Sequence, residues 1–318
     1  MMLRALLRAP LLLAGVSVVV FAATETLPGD AAAARTAGRA DAAQLAELRA
    51  RTGLDQPAWQ RYLDWAAGLA HGDAGVSLLS DRPVTDLIGQ RLPATAALAL
   101  AALAVAVPTM LALAWLAAVP STMGRLASAV ATVLAAVPQV VVAAGLIALF
   151  AGALTWLPPV SLLPVGGVPD LRVLALPALA MALPSAAYGA TLLRGAVADT
   201  LARAHVRDAH LRGVPRRRIV VHEVGPFLLA PTARIVAVVA GGMVAASALV
   251  ETLFGYAGLG ELLTGAVANR DTPVVQAVAM LAAVVVLAGL LVADLVAALT
   301  DPHRTTTPHR TIAVGRTS

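Results

Sequence analysis

The sequence predicts an all-α integral membrane protein with six transmembrane helices. Of its 318 residues, 59% are hydrophobic and only 13% charged, and the mean hydropathy is +0.82. A soluble domain of this length cannot bury that much apolar surface, so lipid is the expected solvent. Six apolar runs read as spans, the first of them short, and the arginines gather between them, mostly on alternate sides.

The first span lies in residues 1–28, with Arg4 and Arg8 ahead of the apolar run Leu11 to Ala23. A basic start, a short apolar core and small residues at Ala22 and Ala23 also fit a cleaved signal peptide. Residues 29–92 form the only long polar region, read as an extracytoplasmic insertion between helices 1 and 2. Its Ala-rich stretch 31–50 suggests a helix. Trp59, Tyr62 and Trp65 recur at three-residue spacing, which assigns them to one helical face as packing or as an interfacial belt.

The transmembrane core is assigned to residues 93–300. Pro93 to Ala118 is an uncharged second span, followed by a turn over Val119 to Arg125 with Pro120 and Gly124 as breakers. Leu126 to Phe150 is the third span, and Pro138 within it predicts a kink. Residues 151–172, rich in Pro and Gly, read as a rigid non-helical loop. Val173 to Leu193 makes the fourth span and Phe227 to Val250 the fifth. Arg234, near the start of the fifth, snorkels to the headgroups, while Gly241 and Gly242 admit a close helix neighbour. The loop 251–273 leads to the sixth span, Val274 to Ala293, and residues 301–318 form a polar tail. Six spans place both termini on one side. Arg4, Arg8, Arg125, the basic segment before span five and the tail arginines all fall on that side, so both termini are expected in the cytoplasm.

Several chemistries are excluded. There is no Cys, hence no disulfide or thiolate site. There is no Lys, so the chain carries no P-loop ATPase of its own. The basic balance does not indicate nucleic acid, because the arginines sit at span ends and stacking aromatics are scarce. His222-Glu223 opens an HExxH pattern, but Pro226 stands where the second ligand belongs. No GxSxG elbow occurs and no His lies at membrane depth, so no enzyme or cofactor is expected. Glu251 and Asp294 read as span-boundary residues, leaving no carboxylate inside a span for an ion-coupled carrier.

The informative stretch is the basic island within residues 194–226. It contains Arg194, Arg203, Arg207, Arg212, Arg216, Arg217 and Arg218, with His205, His210 and His222. A helix is expected from Asp199 to Arg212, capped by Asp199 or Thr200 and stopped by Gly213 with Pro215 beyond. A second short helix over Arg216 to Val224 ends where Pro226 and Pro231 break the chain. Charge alone fits anchoring on anionic lipid. The helix–glycine–helix pattern fits a docking elbow for a cytoplasmic partner.

The run His205-Val206-Arg207-Asp208-Ala209-His210-Leu211-Arg212-Gly213 resembles the EAA-type loop of ABC importer permeases, in the peptide and nickel branch. Further segments resemble that branch in the same order: 27–30 (LPGD), 53–57 (GLDQP), 72–77 (GDAGVS), 91–95 (RLPAT), 176–188 (LPALAMALPSAAY), 250–260 (VETLFGYAGLG) and 269–276 (NRDTPVVQ). The resemblance implies an uncleaved first span, the ABC type I importer fold and a place in the bacterial inner membrane. It implies two permease subunits forming the pathway, two ABC ATPase subunits on the cytoplasmic loops and an extracytoplasmic solute-binding protein. Arg207, Asp208, Ala209 and Gly213 would then sit in the coupling elbow. Arg207 replaces the glutamate that names the motif, and Glu223 with Gly225-Pro226 follows the pattern less closely. The implied cargo is a di- or oligopeptide, with a nickel chelate as the alternative. An autonomous secondary transporter or a membrane scaffold are the readings outside this family.

Overall fold

The computed structural model describes residues 2–26, 56–162 and 170–300. The Ala-rich stretch 31–50, the segment 27–30, most of 53–57, part of the Pro/Gly loop and the tail 301–318 lie outside the described residues. The described residues are mainly helical: α1 (Met2–Glu25), α2 (Ala58–Ala70), α3 (Val84–Ala118), α4 (Thr122–Ala136), α5 (Gln139–Leu146), α6 (Leu171–Leu201), α7 (Ala204–Leu211), α8 (Gly225–Phe254), α9 (Leu259–Asn269) and α10 (Thr272–Thr300). Among the described residues no strand occurs beyond a single bridge between Val76 and Pro83.

The bundle is built around α6. Within its most apolar window 61% of residues are buried, against 28% or less in the other long helices. It packs against α3, α4, α5 and α8, which explains why Ala and Leu are needed on nearly every side of it. The face of α3 turned inward is a strict four-residue stripe: Ala94, Leu98, Ala102, Ala106, Met110 and Ala114. Small residues on such a row let two helix backbones approach, and in lipid that close packing is the main attraction between spans. On the other flank α8 packs on α10, and α10 on α1. Gly241 faces Val286 across the α8–α10 contact, whereas Gly242 faces open space.

Four expectations are corrected. The third span is no single kinked helix: α4 and the segment Gln139–Ala153 meet at 104°. Val137 is held extended ahead of the proline and Pro138 itself has ψ 135, the conformation that X-Pro steps favour. The second half then closes as a π-helix over Ile147–Ala153. Six spans therefore means five continuous helices and one broken pair. The second span's helix starts at Val84, with Pro83 before it and Asp86 in its first turn, where a carboxylate complements the helix dipole. Pro93 lies inside that helix.

The island is also divided differently. α6 continues past Asp199 and Thr200 to Leu201, because the run from Gly195 to Leu201 has no breaker. Neither residue caps α7; Thr200 Oγ1 instead bonds back to the Ala196 carbonyl at 2.7 Å. Finally, Pro226 and Pro231 do not end the second segment, for Arg216–Phe254 runs as one continuous helical stretch. A π-helical turn over Ile219–Val224 stands just ahead of Pro226, a local adjustment that absorbs a proline's missing N–H.

On the side opposite the island, α2 lies against α1. Tyr62 packs edge-on against Phe21 and Trp65 lies tilted on it, with ring centroids 5.5 and 5.8 Å away, and Tyr62 shares a 2.9 Å hydrogen bond with Ser17. Trp59 stays exposed. Residues three apart lag by about 60° per step around a helix, so a stripe of that spacing walks off its face. The following loop is pinned by Asp271, which accepts from Ser77 Oγ and from Leu78 N at 3.0 Å.

Candidate functional site

The island folds as an elbow with its own small core. Arg203 (φ −65, ψ 146) turns the chain out of α6 into α7. The helix ends at Gly213, where Gly213 N donates to the His210 carbonyl and Val214 N to that of Ala209. This terminal pattern requires a left-handed residue, and Gly213 has φ +70. A one-turn helix, Arg216–Arg218, and a π-helix, Ile219–Val224, lead into α8.

Val206 and Ala209 on the inner face of α7 meet Ile219 and Val224 of the returning segment. Leu201, Val214, Leu228 and Trp115 of α3 pack around these four. A clamp beside this core ties α7 to the first turn of α8. The Arg203 guanidinium lies 4.4 Å from the Phe227 ring centre, the His205 ring packs 5.0 Å from Phe227, and His205 Nε2 is 3.1 Å from the Glu223 carbonyl.

The four expected residues thus fall into different positions. Ala209 is buried in the elbow core and Gly213 forms the turn. Arg207 and Asp208 are exposed on the outer face with His210 and Arg212. Sequence reasoning missed Leu211, which is 87% exposed at the end of α7, and it missed the Phe227 clamp. The apolar pair Val206 and Ala209, three apart in an otherwise polar helix, was a readable sign of the inner face.

A polar knot closes the opposite end of the bundle. Glu251, in the last turn of α8, is fully buried. Its carboxylate accepts from Thr95 Oγ1 at 2.8 Å, Gly260 N at 2.6 Å and Glu261 N at 3.2 Å. Thr95 Oγ1 accepts in turn from Leu259 N at 2.7 Å. The Tyr256 hydroxyl donates to the Ala94 carbonyl at 2.7 Å; burial, with the nearby Glu251 charge adding, pushes its pKa up to about 12. Arg91 pairs with Glu261 at the rim. Glu251 does lie at a span end, as expected, but inside protein rather than at the headgroups. Asp294 lies exposed and faces Arg234 at 3.5 Å, so the charge near the start of α8 is met by one on α10.

A bundle of apolar spans around a buried central helix, with a packed basic elbow outside it, defines a permease-type membrane subunit. The chain belongs to the family described as binding-protein-dependent transport system inner membrane component, which matches residues 109–306. The corresponding N-terminal family matches residues 1–99. It is accordingly a multi-pass ABC transporter permease. It is 30% identical over 307 residues to the probable peptide ABC transporter permease protein y4tP of Sinorhizobium fredii, covering 95% of this chain and 97% of that protein. It is 31% identical over 264 residues to the glutathione transport system permease protein GsiC of Escherichia coli strain K12, covering 82% and 84% of the two chains.

Proposed function

We propose that this chain forms half of an ATP-driven import pathway for peptides or glutathione-like compounds, and that the elbow in residues 194–226 couples it to cytoplasmic ATPase subunits. The observation that carries the coupling is α7 itself. Its inner face is locked to the returning segment through Val206 and Ala209 and its start to α8 through Phe227, while Arg207, Asp208 and Leu211 are exposed on the outside. A rigid body exposed at one end and joined to a span at the other can carry a partner's movement into the bundle. The cargo assignment rests on the two relatives, whose names specify peptide and glutathione transport. The remaining partners are a second permease subunit, a second ATPase and an extracytoplasmic binding protein, with both termini of this chain in the cytoplasm.

The test is purification of the chain from its native membrane in mild detergent. A P-loop ATPase and a second six-span protein are expected to accompany it, and the associated binding protein is expected to take di- or oligopeptides. A chain that emerges without an ATPase overturns the coupling role. A binding protein that takes nickel chelates and no peptide overturns the cargo.

A further inference from the structure

We propose that the groove between α4 and α6, beside the α3–α4 turn, binds the headgroup of an anionic phospholipid. The groove has a volume of about 590 Å³, and Arg125, Ser128 and Thr132 of α4 and Arg194 of α6 line it with small residues such as Ala118 and Ala129. No carboxylate lines it, and among the described residues neither arginine forms an ion pair. Arg194 reaches across to donate to Ser128 Oγ, and Arg125 donates to Thr122 Oγ1 at 3.2 Å. A guanidinium carries five donors, so most of their capacity stays available to a phosphodiester, the anion that the planar fork of arginine matches.

The floor of the groove is fixed. A side chain at Gly124 would place its Cβ 2.0 Å from the Val119 carbonyl oxygen, so the start of α4 lies directly on the turn below it. Depth and surroundings favour lipid over a protein segment. Arg125 stands in the first turn of α4, and the same helix exposes Leu126, Val130 and Val133, an apolar face suited to acyl chains. In the orientation proposed above this turn faces the cytoplasm, where basic pockets between spans hold anionic headgroups. A protein segment would have to bring its own carboxylates to apolar surroundings.

The experiment uses native mass spectrometry of the full chain with its co-purifying subunits, released from nanodiscs of phosphatidylglycerol or of phosphatidylcholine. Retained phosphatidylglycerol is expected on the wild type and about 30-fold less on R125Q/R194Q, from two arginine contacts. R125K/R194K should recover part of the retention, and R234Q should keep all of it. Equal retention of phosphatidylcholine, or no loss in the double variant, overturns the proposal. So does displacement by soluble glycerol phosphate, which would make this a site for a free anion. A photoreactive residue at Ala129 in the otherwise native chain provides a check independent of the arginine variants. It should label lipid, and labelling a protein subunit there instead overturns the proposal.

Discussion

Thr95 and Glu251 meet across 156 residues of chain, with Thr95 Oγ1 donating to the buried carboxylate at 2.8 Å. That bond joins α3 to the end of α8, and Leu259 N on the same hydroxyl joins both to α9. The consequence is a rigid corner where three helices meet.

Thr95→Val keeps the shape but strands the Leu259 amide and takes a donor from Glu251. Each buried polar group left unpaired costs about 1–3 kcal/mol. The variant should insert normally and melt several degrees lower in detergent. Glu251→Ala, which strands the Gly260 and Glu261 amides, should melt lower still.

Gly260 is there because α9 touches α8. A Cβ at this position would lie 2.4 Å from the backbone of Ala248, and backbone cannot yield as a flexible side chain can. Gly260→Ala is expected to lose most folded protein on size-exclusion chromatography. Gly265→Ala is the control, since nothing lies within 4 Å of its Cβ. It should be neutral or gain up to about 1 kcal/mol from helix propensity.

Tyr256 sets an alkaline limit. Its hydroxyl titrates near 10 when unfolded and is pushed up to about 12 in the fold, so the folded state favours the protonated form. The stabilisation is fully present below pH 10 and is lost as pH rises through 12. Melting curves of wild type and Tyr256→Phe should therefore differ by a constant amount up to pH 10, and the difference should shrink above it.

The elbow predicts a split between folding and transport. Leu211 is exposed, so Leu211→Asp should leave insertion and melting unchanged while ATP-dependent uptake falls by at least about tenfold, the loss of one apolar anchor from an interface. Val206→Asp places a charge in the elbow core and should lower both stability and uptake. Unchanged uptake in Leu211→Asp would show that the outer end of α7 bears no partner.

Gly213→Val tests the turn separately from the surface. There is room for the side chain, but φ +70 strains any β-branched residue. Normal membrane insertion with lost uptake is the expected result, read by fractionation alongside a peptide uptake assay.

The prolines mark the boundary between what was written locally and what was not. Pro93, Pro108, Pro177, Pro184 and Pro231 all lie inside continuous helices, while Pro138 divides two helices at 104°. The residue is the same in each case and removes the same N–H. In membrane helices neighbouring groups re-satisfy the backbone that a proline frees, so the surroundings decide between a tolerated proline and a break. The stop of the elbow was legible because its signals are short-range: a glycine, then a proline two residues on.

By itself, the sequence determined that this is a helical membrane protein, where its apolar runs fall, and that a basic elbow turning at Gly213 separates two of them. Composition, charge and glycine act locally, and each reports directly on the solvent or the backbone angle it requires. Only the tertiary structure decided that α6 is central, that Arg125 and Arg194 share one groove and that Glu251 is buried. Glu251 is held by a hydroxyl 156 residues away and by backbone amides. Amides occur at nearly every residue, so nothing in the order of side chains distinguishes the ones that fold onto a carboxylate.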